Sequence, residues 1–149
     1  MSKTNQQRQN WMSVLAKAPT ESLMALSEPV MNDASFEVIR QPEIGLTQIR
    51  ARMGGEGNPF NLGDMTMTRC VVRSNMNTLG YGYISGRKKS HALRAAQMDA
   101  LLQSSEFESL LLERVIEPLQ RQIQQQELVQ KREVDATRVD FFTLVRGED

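Results

Sequence analysis

The sequence predicts one α+β domain: an antiparallel sheet of about four strands flanked by helices, with a long C-terminal helix and an apolar docking tail. Apolar residues recur at helical spacing near both ends of the chain and alternate with polar residues through its middle. The alternating segments follow one another through short links, which favours antiparallel over parallel pairing. The length of 149 residues suits a single domain over 1–149. We expect helices in 1–34, the sheet in 35–86, helices again in 87–135 and the tail in 136–149.

Two short helices are predicted at the start of the chain. Apolar residues within 11–16 lie at helical spacing, and this helix is expected to end before Pro19. A second helix is expected over 21–27. Thr20 is its predicted N-cap, because a Thr hydroxyl can accept a bond from a free backbone N–H. Pro29 is its predicted stop.

The middle of the chain alternates as half-buried strands do. A turn at Pro42 and Gly45 is expected to separate the first two candidate strands. The polar link 74–78 predicts a hairpin between the last two. The four candidate strands are 36–40, 46–53, 65–73 and 79–84.

Helical spacing returns at about residue 90 and again from residue 106. One apolar stripe is formed by Leu112, Ile116, Leu119 and Ile123, which step by four, three and four. Pro118 interrupts this stripe, so a kink or a new helix start is expected there. The run beyond Ile123 is polar and predicts a solvated helix.

An apolar tail follows the polar helix. Chain ends are usually polar and frayed, yet this one holds two of the five phenylalanines. Each large apolar side chain left in water costs roughly 1.5–3 kcal/mol. The tail must therefore pack on its own domain or on another protein, and the polar spacer before it favours the second. The predicted docking residues are Val139, Phe141, Phe142, Leu144 and Val145.

Cysteine and histidine usage excludes several kinds of site. A single cysteine, Cys70, rules out an internal disulfide and fits a reducing cytoplasm. With one histidine, His91, the chain has too few such ligands for a structural zinc site, and no metal site is predicted. Residues 1–9 are polar and no long apolar run exists, so neither a signal peptide nor a membrane span is expected. These features predict a soluble, cytoplasmic protein.

Positive and negative charges balance overall but not locally. Lys plus Arg and Asp plus Glu number 18 each. Nine basic residues and three acids in 40–94 give +6, whereas six basic residues and eleven acids in 95–149 give −5. The basic middle suggests an anion-facing surface, with chance asymmetry as the alternative. A pI of about 6.6 and an aromatic content of 5% argue against nucleic-acid binding.

The segment from Gly86 to His91 is the best candidate for an anion site. Backbone N–H groups at a helix N-terminus and basic side chains both attract anions. Simple solvation of these cations is the alternative, because cations disfavour that end of a helix. His91 shares a helical face with apolar residues, which favours a hydrogen-bonded packing role over acid–base work. The residues predicted to lie near an anion or substrate are Arg52, Arg69, Arg87, His91 and Arg94.

A glycine-rich segment, 53–64, lies between two predicted strands. Glycine lets a backbone approach a phosphate closely, but no Lys-Ser/Thr pair ends this segment and no helix follows it. It is therefore neither a P-loop nor a dinucleotide fingerprint, and a long ordered turn is favoured. No nucleophile with a neighbouring base is recognisable, so no catalytic residue is predicted.

Several short blocks of sequence together resemble one family. They are 11–16, 52–55, 63–64, 68–69, 79–81, 86–87, 91–92, 99–101, 138–143 and 145–147. The most specific is Val-Asp-Phe-Phe-Thr at 139–143. Nearly end to end, the chain resembles the G subunit of the bacterial carbon–phosphorus lyase system, the PhnG family.

The resemblance implies membership in a cytoplasmic core complex with H, I and J subunits and a functional link to an L subunit. It implies a reaction with MgATP as substrate, in which an alkylphosphonate displaces adenine from the anomeric carbon to give a ribose 1-phosphonate 5-triphosphate. The family attributes the nucleosidase chemistry to the I subunit and assigns no catalytic residue to the G subunit. A structural or accessory role, with no cofactor bound by this chain, is therefore expected.

Two other classes of function stay open. A stand-alone enzyme or binding protein acting on phosphorylated small molecules would show activity or binding with the isolated chain. A nucleic-acid-binding module would show salt-dependent binding to DNA.

Overall fold

The computed structural model describes residues 5–52 and 57–147, and it confirms an α+β fold with a long C-terminal helix. Within these ranges no helix is long and apolar enough to cross a membrane. In chain order the elements are α1 (Asn5–Lys17), α2 (Thr20–Met31), β1 (Phe36–Arg52), β2 (Pro59–Ser74), β3 (Leu79–Ser85), α3 (Lys89–Leu102), α4 (Glu108–Leu111), a π-helical turn (Leu112–Ile116) and α5 (Glu117–Gly147).

The sheet is antiparallel in the order β1-β2-β3, so the described residues form three strands and not the four predicted. The expected turn at Pro42 and Gly45 does not form, and β1 runs through both residues. Register shifts between Val38 and Arg40 and between Arg40 and Glu43 mark bulges there. A bulge leaves its extra residue unpaired, and an edge strand bonds on one side only, so an edge strand tolerates a proline.

Helix α2 also differs from the prediction at both ends. Pro19 occupies the N-cap position and Thr20 is the first helical residue, without a side-chain cap. Pro29 does not stop the helix, which continues to Met31. The missing N–H of Pro29 leaves only the carbonyl of Ala25 without its helical partner. Both residues are exposed, so water can satisfy that carbonyl.

Pro118 marks a new helix start, one of the two outcomes predicted for it. The chain forms a π-helical turn up to Ile116, and α5 begins at Glu117. The π-helical turn breaks the regular i→i−4 ladder just before Pro118, where the Glu117 N–H bonds to the Leu112 carbonyl, so the ladder already changes where proline cannot donate. Ile123 still packs partly against the core, but every side chain from residue 124 to 137 is exposed.

Helix α3 packs directly on the backbone of β3. A Cβ atom added at Gly82 would overlap the carbonyl oxygen of Ala92, and one added at Gly80 would lie 2.6 Å from the amide nitrogen of Ala100. Glycines on the strand and alanines on the helix therefore allow an approach that larger residues would prevent. The covered face of the sheet, with Val72 and Ile84, joins α1, α2 and α3 in one core.

Replacing Gly82 with alanine should destabilise the fold. The added methyl has no space between β3 and α3, and overpacking of this kind costs about 3 kcal/mol at the upper end of its usual range. Urea denaturation measures the loss in unfolding free energy. Gly45→Ala is the matched control, because the nearest atom to its added methyl lies 4.0 Å away. Equal stability of the two variants would contradict this packing.

Candidate functional site

The most highly bonded buried polar group in the described structure is the carboxylate of Asp99, on α3. It is fully buried and accepts hydrogen bonds from three residues on two other elements. The Arg8 guanidinium on α1 donates through Nε at 3.3 Å and Nη2 at 3.0 Å. The Trp11 indole Nε1–H donates at 2.8 Å, and the Tyr81 backbone N–H on β3 donates at 2.9 Å. Asp99 therefore fixes α1 and β3 to α3.

The charge of Asp99 is balanced by one neighbour. The hydrogen bond to Asp99 raises the pKa of Arg8, and partial burial of the guanidinium opposes this. The Arg8 guanidinium also lies 5.6 Å from the centre of the Tyr81 ring, within cation–π distance. A buried carboxylate with its donors already in place holds structure together and leaves no side open to a ligand.

Part of the outer edge of β3 is occupied by α3 and by Gln103, the residue that follows it. Besides the bond from the Tyr81 N–H to Asp99, the Gln103 side chain donates from Nε2 to the Leu79 carbonyl at 2.6 Å. Free edge groups invite pairing with another strand. These two bonds occupy part of that edge, at Leu79 and Tyr81.

His91 has the packing role that its helical face predicted. It is 1% exposed, and its Nε2 lies 2.7 Å from the Leu15 carbonyl. Because a carbonyl only accepts, Nε2 carries the proton, and Nδ1 accepts from the Thr20 hydroxyl at 2.8 Å. Burial lowers the pKa of His91, the bond to Leu15 partly offsets this, and the charge of Lys88 lowers it further.

Arg94 joins α3 to α2. Its Nη1 donates to Ser27 Oγ at 2.7 Å, and its Nη2 lies 3.4 Å from Glu28 Oε2. Ser27 in turn donates to the Leu23 carbonyl at 2.6 Å. The Arg94 guanidinium is thus engaged inside the domain.

The other three residues predicted to lie near an anion have exposed side chains on different parts of the sheet region. Arg52 ends β1, Arg69 lies in the middle of β2, and Arg87 lies between β3 and α3. Among the described residues none of the three makes a side-chain hydrogen bond or ion pair. The structure does not gather the five predicted residues into one pocket.

The start of α3 is held by Thr68 of β2. The Thr68 hydroxyl donates to the Gly86 carbonyl at 2.6 Å and accepts from the Lys88 backbone N–H at 3.0 Å. Lys88 and Lys89 are exposed. One backbone donor of the predicted anion site is therefore already bonded within the fold.

The face of the sheet opposite α3 is uncovered. We call this surface the open face, and it consists of Arg40, Arg69, Arg73, Leu79, Tyr81 and Tyr83. These residues line a shallow depression of about 510 Å³. Cross-strand pairing sets Tyr83 beside Arg69 and Leu79 beside Arg73. The alternation of glycine with larger residues in β3 was the sequence signal for this face, since it places glycines on one side and aromatic rings on the other.

The predicted docking residues of the tail can be placed only by their backbone. Helix α5 continues without interruption to Gly147. The side chains of Val139, Phe141, Phe142, Leu144 and Val145 lie outside the described residues. Their docking role stays a prediction.

Removing the Asp99 carboxylate should be far more costly than removing an exposed acid. Asp99→Ala leaves the Trp11 indole and the Tyr81 amide without their acceptor and Arg8 without its counter-charge. We expect a loss of about 3 kcal/mol in unfolding free energy by urea denaturation. Glu37→Ala is the control, because Glu37 and Arg73 form an exposed pair at 3.7 Å that is worth at most about 1 kcal/mol. Similar losses in both variants would refute the role given to Asp99.

Stability should fall as the pH drops below about 6.5. The lowered pKa of His91 means that the unfolded chain binds a proton at a higher pH than the folded chain. The stability that neutral His91 contributes is therefore fully present above the pKa of His91 in the unfolded chain. It is lost as the pH falls towards the lower pKa of His91 in the folded chain. His91 is the only histidine, so His91→Gln should flatten the change in unfolding free energy between pH 7.5 and 5.5. An unchanged slope in the variant would contradict the assignment.

Two comparisons with known proteins cover almost the whole chain. The family model described as "Phosphonate metabolism protein PhnG" matches residues 6–147. A curated relative from Rhizobium meliloti (strain 1021), the alpha-D-ribose 1-methylphosphonate 5-triphosphate synthase subunit PhnG, is 37% identical over 143 residues. The matched region spans 96% of this chain and 91% of the relative. The chain therefore belongs to the PhnG family of phosphonate metabolism proteins.

Proposed function

We propose that this chain is a subunit of an assembly that replaces the adenine of MgATP with an alkylphosphonate. In this reaction a phosphonate oxygen bonds to the anomeric carbon of the ribose while the bond to adenine breaks, which yields ribose 1-phosphonate 5-triphosphate and free adenine. The observation that carries the proposal is the nearly end-to-end match to a relative named as a subunit of the corresponding methylphosphonate synthase.

The partners proposed are those that the resemblance implies. They are the H, I and J subunits of the carbon–phosphorus lyase core complex, with the L subunit acting alongside them in the cytoplasm. MgATP is a substrate of the assembly, and no cofactor is assigned to this chain.

A positioning role within the assembly fits the chemistry of the described side chains. Asp99 and His91 are buried and bonded within the fold. Cys70 is also buried, and burial raises the pKa of its thiol, which disfavours the nucleophilic thiolate. In the two described ranges no group of three His, Cys, Asp or Glu residues could hold a metal ion. Catalysis is accordingly assigned to partner subunits.

The exposed arginines supply positive charge at the surface of this subunit. Arg52, Arg69 and Arg87 are free of internal partners within the described part of the chain. We assign them to anionic groups of the assembly, either substrate phosphates or partner carboxylates. His91 and Arg94 act instead through the fold, by holding α3 against its neighbours.

Helix α5 supplies a long element for docking. It spans 31 residues, and the exposed stretch from residue 124 to 137 extends about 21 Å at about 1.5 Å per residue. An exposed helix that ends in an apolar segment suits insertion against another protein. The tail residues, from Val139 to Val145, are therefore proposed as one contact with the partner subunits.

Adenine release from MgATP and methylphosphonate tests the proposal. The H, I, J and L subunits without this chain should release no adenine, and adding the purified chain should restore release. The isolated chain should release none. Full turnover by the partners alone would refute the proposal, and turnover by the isolated chain would instead support a stand-alone enzyme.

A shortened chain that ends at residue 138 tests, in the same assay, whether the tail contributes to docking. It should fold, with an unchanged unfolding midpoint, but should restore less adenine release at limiting concentration. Restoration equal to that of the full chain would remove the tail from the docking contacts.

A further inference from the structure

We propose that the open face, continued by an extended β-ribbon, is a second docking surface that receives an acidic segment of a different protein subunit. The inference rests on the proposed function, because it places the chain in an assembly. It adds a surface on the sheet, remote in sequence from the C-terminal tail.

The first observation is the composition of the open face. Tyr81 and Tyr83 are 42% and 43% exposed, and Leu79 is 36% exposed. Isolated apolar residues are common at protein surfaces, but a continuous patch marks a binding surface. Tyrosine and arginine are enriched among the residues that contribute most to protein–protein binding. The open face combines both around one depression.

The second observation is the ribbon. Strands β1 and β2 stay paired from Gly45 and Met67, where β3 ends, to Arg52 and Pro59. The seven steps along β1 from Gly45 to Arg52, at about 3.3 Å each, give an arm of about 23 Å. Beyond the end of β3, the backbone of β2 has one further hydrogen bond on that side among the described residues, from the Gly86 N–H to the Thr66 carbonyl.

The ribbon carries apolar side chains in water. Leu62 is 62% exposed, and Phe60 and Met65 are also exposed. Met65 pairs with Thr47, whose hydroxyl lies 3.1 Å from the Tyr83 hydroxyl, so Met65 is on the side of the ribbon that continues the open face. Leu46, which is 72% exposed, pairs with Thr66 and is on the opposite side. A two-stranded hairpin is only marginally stable by itself in water. Exposed apolar residues on such an arm are best explained by packing against a partner, which would cover them and support the ribbon.

The third observation identifies the chemistry of the occupant. Strands β1 and β2 carry five arginines, three acids and no lysine. Within the described residues the guanidiniums of Arg40 and Arg69 have no hydrogen bond or ion pair, and Arg73 meets Glu37 only at 3.7 Å. Arginine is weakly hydrated and binds carboxylates through a planar fork, so it suits interface ion pairs. The fitting occupant is a segment with Asp or Glu between apolar side chains.

A second copy of this chain does not fit the same surface. A two-fold contact places the same patch on both sides of the interface. The open face would then bring arginines against arginines around the axis, and like charges facing each other cost several kcal/mol in general. A different subunit with carboxylates meets no such repulsion.

The test measures binding of the full chain to its co-expressed partner subunits H, I and J, by biolayer interferometry. Arg69→Glu reverses a charge on the open face, and Met65→Asp places a charge on the side of the ribbon that continues this face. Neither side chain has a polar contact to lose with the residues that the structure describes. We expect each variant to bind at least about tenfold more weakly than the unaltered chain.

Arg114→Glu is the matched control. It makes the same charge reversal at an exposed position in the π-helical turn, outside the sheet. It should change the affinity by less than about twofold. Circular dichroism and unfolding midpoints equal to those of the unaltered chain establish that all three variants are folded.

The outcomes separate this inference from the function on which it rests. If the unaltered chain binds the partners and Arg69→Glu and Met65→Asp bind equally well, the docking surface is refuted while the subunit role stands. If these variants only dissolve a self-dimer seen by sedimentation, the occupant is a second copy and the inference fails. If the unaltered chain does not bind the partners, the proposed function itself fails.

Discussion

The buried carboxylate of Asp99 is the contact on which the arrangement of the other elements depends. Removing a charge from water is costly, and Asp99 is stable inside the domain because Arg8, Trp11 and the Tyr81 backbone all donate to it. These donors come from α1 and β3, so satisfying one carboxylate fixes both elements relative to α3. The same bond network occupies part of the outer edge of β3, and it positions the Tyr81 ring on the open face beneath Arg8.

This constraint gives the molecule two distinct sides. Asp99 on α3 can reach the backbone of β3 only because Gly80 and Gly82 let the helix lie against the strand. Burial of that face supplies the core, and it leaves the opposite face, the ribbon and residues 124–137 of α5 uncovered. In a family whose curated relative is named as a synthase subunit, uncovered surfaces of this extent are where other chains are expected to bind.

Periodicity predicted the fold class well, because the alternation of side chains along a strand and their spacing along a helix are local properties. Local rules failed at Pro42 and Pro29, where an edge bulge and a solvent-facing carbonyl made proline acceptable. The packing role of His91 followed from its helical face. The pairing of Arg8 with Asp99 could not be predicted, because the residues lie 91 positions apart and only the fold brings them together.

The candidate site, too, could be predicted where it depends on local sequence pattern and not where it depends on the fold. Sequence identified the basic middle of the chain, but it could not tell Arg94, which binds α2, from Arg69, which faces outwards. Alternation in a strand reveals two faces without revealing which one a helix will cover. The open face therefore became visible only when α3 was seen to lie on the glycine side of β3.

Hydrogen–deuterium exchange followed by NMR tests the role of Asp99 most directly. If the carboxylate holds α1 and β3 to α3, the Trp11 indole N–H and the Tyr81 amide should exchange only through global unfolding. Their exchange should then share its denaturant dependence with the amide of Val72 in the central strand. Exchange of either proton through local opening, much faster than that of Val72, would contradict the account.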